Sequence, residues 1–225
     1  MAKQLTPMGC ESECLCARLR SVAPLFCLAM SAVVTVGCHR GPKRIEPVHI
    51  DTRAAAKLAM QQYDANGDGS LAPAELKQVP GILESMENFD QDQDGTVSSE
   101  ELATRMGQWE KHRRPILTLR CRVTLDGRPL PGAEVEFIPE TFLEQSIETA
   151  KGTTDATGAV RMEIPEENRP PELMTHPGIQ AGLYKVRITH PQKKLPRRYH
   201  AESELGQEVA KDRRVIQTQF KLTSR

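Results

Sequence analysis

Aromatic side chains are scarce: five Phe, three Tyr and one Trp make up 4% of 225 residues. Binding of single-stranded nucleic acid leans on aromatic platforms for stacking, so a nucleic-acid partner is not expected. Catalytic signatures are missing too. There is no Gly-x-Ser-x-Gly elbow, no His-Glu-x-x-His pair and no glycine-rich phosphate loop. The six histidines are scattered without ligand spacing, and His176, His190 and His200 sit beside turn signals, where a solvated ring is the default. The chain is therefore not expected to be an enzyme. Cysteine is absent after residue 38 except for Cys121, so no disulfide framework is available. Cys121 falls on the apolar side of a strand pattern, between Leu119 and Val123, and reads as an inert core residue.

Acidic residues are abundant in one place. Residues 51–110 hold 12 acids against 4 bases, a net of −8, whereas residues 1–50 carry +3 and residues 111–225 carry +5. Within the acidic segment lie two twelve-residue stretches, Asp64-Ala-Asn66-Gly-Asp68-Gly69-Ser70-Leu71-Ala72-Pro73-Ala74-Glu75 and Asp90-Gln-Asp92-Gln-Asp94-Gly95-Thr96-Val97-Ser98-Ser99-Glu100-Glu101. A hard cation needs oxygens converging from a short loop: side chains at positions 1, 3 and 5, a carbonyl at 7 and a bidentate carboxylate at 12. Asp64, Asn66, Asp68 and Glu75 fill the side-chain positions of the first stretch, and Asp90, Asp92, Asp94 and Glu101 those of the second. Ser70 and Thr96 supply the carbonyls, and Gly69 and Gly95 stand where the loop turns with a positive φ. An acidic surface turn rarely meets all of these demands, and here two stretches do. Both resemble the EF-hand calcium loop, which implies two Ca²⁺ ions.

The flanks agree with that resemblance. Thr52 to Tyr63 is an alanine-rich helix leading into the first loop. Ile82 to Phe89, with Ile82, Leu83, Met86 and Phe89 at helical spacing, leads into the second. Leu102, Met106 and Trp109 continue an apolar stripe on the last helix, read as core. Leu71 and Val97, at position 8 of each loop, are where paired hands meet through a short antiparallel contact. The loops start only 26 residues apart and Pro80-Gly81 cuts the first exiting helix short, so compact hands without the wide opening of sensor proteins are expected.

Ahead of the acidic segment, Val22 to Val36 is a mostly apolar run of 15 residues after Arg18 and Arg20. This is the length of a signal-peptide core and falls short of the roughly 20 residues of a membrane span. The run ends in Gly37-Cys38, small residue before cysteine, resembling the lipobox of bacterial lipoproteins. That resemblance implies a signal peptide over 1–37, Cys38 as the lipid attachment site, and an extracytoplasmic position in the cell envelope. Thr35 stands where leucine is usual; a start at Met8, or secretion without lipid, is the alternative. Residues 38–50, with Gly41, Pro42 and Pro47, then read as a lipidated tether. At about 3.3 Å per residue it reaches roughly 40 Å.

From Arg114 onward the period becomes two. Leu117, Leu119, Cys121, Val123 and Leu125 alternate with polar residues; Ala133, Val135 and Phe137 follow, then Val160, Met162 and Ile164, Tyr184, Val186 and Ile188, and finally Ile216, Thr218, Phe220 and Leu222. Short strands between Gly, Pro and Asp turns predict an antiparallel sandwich over 115–225. The stretch 168–178 reads as a long loop. Val123-x-Leu-Asp-Gly-x-Pro-Leu-Pro-Gly-Ala-x-Val-x-Phe-x-Pro139, Gly152-x-Thr-Thr-Asp-x-x-Gly158 and Gly182-x-Tyr184-x-Val186-x-Ile188 together resemble the carboxypeptidase regulatory-like, transthyretin-type β-sandwich. The resemblance implies a non-catalytic module, with the Tyr184 hydroxyl a candidate anchor for a sheet corner.

The sequence thus predicts a multidomain α and β chain: a helical EF-hand pair over 51–112 followed by an all-β antiparallel sandwich over 115–225. Its expected function is calcium binding in a membrane-anchored envelope lipoprotein, with calcium and the membrane as partners and an envelope protein or polysaccharide as candidate ligand of the sandwich. The rivals are a calcium-dependent enzyme or accessory subunit, with chemistry in the 165–180 loop, and a structural surface spacer. The basic runs Lys193-Lys194-Leu-Pro-Arg197-Arg198 and Lys211-Asp-Arg213-Arg214 are candidates for anionic lipid or acidic polysaccharide, against the plainer reading of a soluble loop and a guarded edge strand.

Overall fold

Asp51 opens the described helical region as an N-cap, its carboxylate accepting the Ala54 N–H at 3.0 Å. Helix α1 (Thr52–Tyr63) follows as expected, and its buried face is made of Ala55, Ala56 and Ala59. Such small residues let another helix approach closely, and the partner is α5 (Ser99–Lys111), which buries Leu102, Met106 and Trp109 as expected of a core stripe. The chain between them carries β1 (Ser70–Leu71), three single-turn helices, α2 (Pro73–Leu76), α3 (Pro80–Leu83) and α4 (Met86–Phe89), and β2 (Val97–Ser98). β1 and β2 pair antiparallel with Leu71 opposite Val97, the contact that position 8 of each loop predicted. The helix expected over 82–89 is instead split. The Ser85 N–H closes on the Ile82 carbonyl and the Asn88 N–H on the Ser85 carbonyl, tightened three-residue closures that divide it into α3 and α4.

The computed structural model describes residues 45, 48–111, 114–211 and 217–225. The signal-peptide segment, Cys38, Arg213 and Arg214 lie outside them. Val48 packs on the core, Ile50 is 4% exposed, and the Ile50 N–H donates to Glu110 Oε1 at 2.7 Å, so the end of the expected tether is docked.

The second half is a two-sheet sandwich. One sheet contains β3 (Leu119–Leu125) with β4 (Arg128–Pro129), β7 (Ala159–Met162) and β10 (Gln217–Leu222); the other has the order β6 (Ala150–Thr153), β5 (Glu134–Pro139), β8 (Gly182–Thr189), β9 (Gly206–Val209). Among the described residues every strand pairing of the sandwich is antiparallel except β10 on β3, which is parallel. Alternation places Phe220 and Leu222 inward but carries no information on strand direction. Phe137 of β5 spans the two layers, its ring 5.8 Å from Tyr184 and 6.1 Å from Phe220. Burial of each such side chain is worth about 1.5–3 kcal/mol. The loop over 168–178 carries only short 3₁₀ turns, one of which buries Leu173.

The helical pair is not a separate bead. The backbone of α3 lies on β8 and β9, with the Gly81 N–H donating to buried Glu140 Oε1 at 3.2 Å. Beside it the Tyr63 hydroxyl meets Thr141 Oγ1 at 2.7 Å, and the Tyr63 ring packs edge-on to Phe142 at 6.4 Å. Gly206 is the point of closest approach: a Cβ there would lie 2.0 Å from the Pro80 carbonyl carbon. Gly206→Ala is expected to cost at least the roughly 1–3 kcal/mol of an overpacked core. Denaturant unfolding checks this; an unchanged midpoint contradicts the backbone-on-backbone contact.

Candidate calcium site and its attachment to the sandwich

Each loop is tied together by its own carboxylates. In the first, Asp64 Oδ1 and Oδ2 accept the N–H groups of Gly67 at 2.7 Å and Gly69 at 2.9 Å. Asn66 Oδ1 accepts the Asp68 N–H at 2.9 Å, and Asp68 Oδ1 the Ser70 N–H at 2.9 Å. Glu75, twelfth in the loop, reaches back: Oε1 accepts the Ala65 N–H and Oε2 the Ala72 N–H, both at 2.9 Å. The second loop repeats the scheme. Asp90 accepts Asp94 and Gly95 N–H at 3.1 and 3.0 Å, Asp92 Oδ1 accepts Asp94 N–H at 3.2 Å, and Asp94 Oδ1 accepts Thr96 N–H at 2.7 Å. Glu101 Oε1 accepts Gln91 N–H, and Oε2 takes both the N–H and the hydroxyl of Ser98, all at 2.8 Å. Burial pushes the Glu101 carboxyl up, but these hydrogen bonds outweigh it and hold the group below the usual carboxylate range.

The turn residues behave alike. Gly69 and Gly95 share φ of +87°, the left-handed conformation that the sixth position demands. The fourth position is left-handed as well, Gly67 at +74° and Gln93 at +63°, a non-glycine residue in a region that usually costs it about 1 kcal/mol. The loops differ most in how their acids meet. Asp90, Asp92 and Asp94 each offer a carboxylate oxygen within 4.8 Å of the others, while in the first loop Asn66 Nδ2 donates to Asp68 Oδ2 at 2.7 Å. Like charges gathered this closely repel unless a cation joins them, and hard oxygen donors suit Ca²⁺. The residues therefore fit the ion: Asp90, Asp92, Asp94, Thr96 and Glu101 would hold one, Asp64, Asn66, Asp68, Ser70 and Glu75 the other.

A feature with no local sequence signal joins the second loop to the sandwich. Glu208 of β9 is 1% exposed. Its Oε1 accepts Arg105 Nε at 2.6 Å and Trp109 Nε1 at 2.9 Å, and its Oε2 accepts Asn88 Nδ2 at 2.8 Å. Asn88 lies in α4, just before Asp90; Arg105 and Trp109 lie in α5, beyond Glu101. One carboxylate thus grips the helices on both sides of the second loop. Glu208 reads in sequence as a surface acid. The available hint was Arg105 within the stripe of Leu102, Met106 and Trp109, since a guanidinium on a core face needs an anion from elsewhere.

Other candidates are occupied structurally. His190 Nδ1 accepts the Gln192 and Lys193 N–H groups and Nε2 donates to the Pro131 carbonyl, so this ring holds a turn. Arg197 pairs with Glu202 at 2.6 Å; Arg198 lies over the Tyr199 ring and bonds Thr223 Oγ1 at 2.7 Å, which ties that part of the basic run to the chain end. Cys121 is 2% exposed, and burial pushes its thiol far above the ordinary range, as an inert core residue requires. The Tyr184 hydroxyl donates to the Gln180 carbonyl at 2.9 Å, four residues upstream. Among the described residues no helix is long and apolar enough to cross a membrane.

Residues 56–80 and 83–106 match the EF-hand family model. The match supports calcium binding by the helical segment that carries both loops. No curated protein and no solved structure matches the chain.

Burial pushes the Glu140 carboxyl up to about 7, against the opposing pull of the Gly81 N–H and the Lys185 charge. A raised folded-state value penalises ionisation. The stability that goes with neutral Glu140 is full near pH 4.5 and is lost as pH rises through about 7. Glu140→Gln is expected to flatten that decline. Thermal unfolding of both forms between those pH values checks it, and equal slopes contradict the assignment.

Proposed function

We propose that this chain is a calcium-binding envelope lipoprotein, anchored through Cys38, whose sandwich is a non-catalytic module of the carboxypeptidase regulatory type. The observation that carries the calcium assignment is the repetition, in both loops, of the same oxygen scaffold with the same left-handed glycine. Calcium serves here as a structural ion. The second hand is held on both flanks by Glu208, and its wide opening would break that grip. The Tyr184 corner and the two-sheet order support the sandwich assignment. Extracellular modules work with affinities near roughly 10⁻⁴ to 10⁻³ M, which suits a compartment rich in calcium.

Two measurements follow. By titration calorimetry, with Glu75→Gln and Glu101→Gln isolating the sites, the second loop binds more tightly, because four acidic ligands outbid three and Ser98 offers a hydroxyl where Ala72 does not. A first loop equal or tighter contradicts this. For the anchor, Cys38→Ser is expected to move the protein out of the membrane fraction. Retention after a high-salt wash means that the segment before it is an uncleaved anchor.

A further inference from the structure

The two outer faces of the sandwich handle charge in opposite ways. On the sheet containing β5, Glu136 lies between Lys151 and Arg187 in register, bonding Lys151 Nζ at 3.1 Å and Arg187 as well. That row sets an acid between its two cations. On the other sheet Arg120 stands directly opposite Arg161, with Gln217 on its other side. The next row is Gln219, Arg122 and Ala159, and Lys221 lies beyond. All four basic residues are exposed, and no acid sits in these rows. Like charges placed opposite on a sheet are destabilising, and on the neighbouring sheet this chain instead places an acid between its cations.

We propose that the outer face of the β10–β3–β7 sheet is a docking surface for an acidic polysaccharide. Guanidinium groups bind carboxylates with two parallel hydrogen bonds, and the Gln217 and Gln219 amides suit the hydroxyls between them. Neighbouring strands stand about 4.8 Å apart and alternate residues about 6.6 Å along a strand, so the cations form a fixed lattice rather than a flexible tail. A depression of about 590 Å³ is lined by Arg120, Arg122, Ala159, Gln217 and Gln219, with small Ala159 leaving room between the arginines. A trough of this size accepts a chain of sugar rings; a planar bilayer would meet only its rim. No large exposed apolar residue is available there for insertion into lipid: the two such residues among those described, Leu58 and Met174, lie elsewhere.

The rim acids do not cancel the face. Glu163 lies 3.4 Å from Arg161 in an exposed pair, a kind worth little in water. Asp155, fixed in its own turn by the Thr157 N–H and hydroxyl and the Ala159 N–H, offsets Arg122 only in part, and the two rim acids face four bases. This proposal rests on the sandwich alone and stands apart from the calcium assignment.

The test uses the full chain without added calcium, which would itself cross-link the probe, and polygalacturonate as the probe, with dextran as the neutral control. Binding to polygalacturonate that weakens with salt is expected, with about a tenfold loss for Arg120→Gln or Arg122→Gln singly. The triple variant that adds Arg161→Gln should lose binding almost entirely, while its melting temperature holds or rises because the repulsion is gone. Lys57→Gln/Lys77→Gln, which removes two exposed cations of the helical segment, should change affinity less than threefold. The proposal is overturned by absent binding, by equal binding of dextran, by an equal loss in the lysine variant, or by a triple variant that melts lower. Tighter binding to phosphatidylglycerol vesicles or to duplex DNA than to polygalacturonate overturns it as well.

Discussion

A single buried carboxylate organises this molecule. Glu208 enters the helical half from a strand of the sandwich and satisfies a guanidinium, an indole N–H and an amide at once. A buried ion pair is weak evidence for net stability, because desolvation offsets the attraction; what it does supply is a unique arrangement, since any slippage leaves a charge uncompensated. Arg105 meets Glu208 only when α5 is held within side-chain reach of β9, and Asn88 only when α4 is held there too. The second calcium loop is suspended between those two helices.

The charge distribution gives that arrangement its sense. The helical segment is strongly acidic while the sandwich is close to balanced, yet the clamp joins a base from the acidic segment to an acid from the sandwich. The surplus acids gather in the loops, where they repel one another until a cation is present. Bound calcium stabilises whatever is cooperative with the loops. Glu208, Gly206 against Pro80, and Glu140 beneath Gly81 make that unit larger than the hands themselves.

Much of this was legible in the sequence because it depends on local rules. The loops announce themselves through oxygen spacing and a glycine at the turn, α1 through its alanines and cap, and β3, β5, β8 and β10 through alternation. Three strands escaped notice for physical reasons. β4 is two residues ending in proline, β6 reads Ala-Lys-Gly-Thr, and β9 reads Gly-Gln-Glu-Val, all short of β-branched or alternating apolar residues; pairing to neighbours makes them strands. The clamp and the docked end at Ile50 escaped because they join residues far apart in sequence. The parallel pairing of β10 escaped because alternation sets which face is buried, not which way the strand runs.

Hydrogen exchange on the full chain, with and without calcium, tests the coupling most directly. Calcium is predicted to raise protection in residues 86–111 and, through Glu208, in β9 at 206–209; in Glu208→Gln the first gain persists and the second fades. Protection of β9 that ignores calcium in the unaltered chain would contradict the account, leaving the hands and the sandwich as independent units.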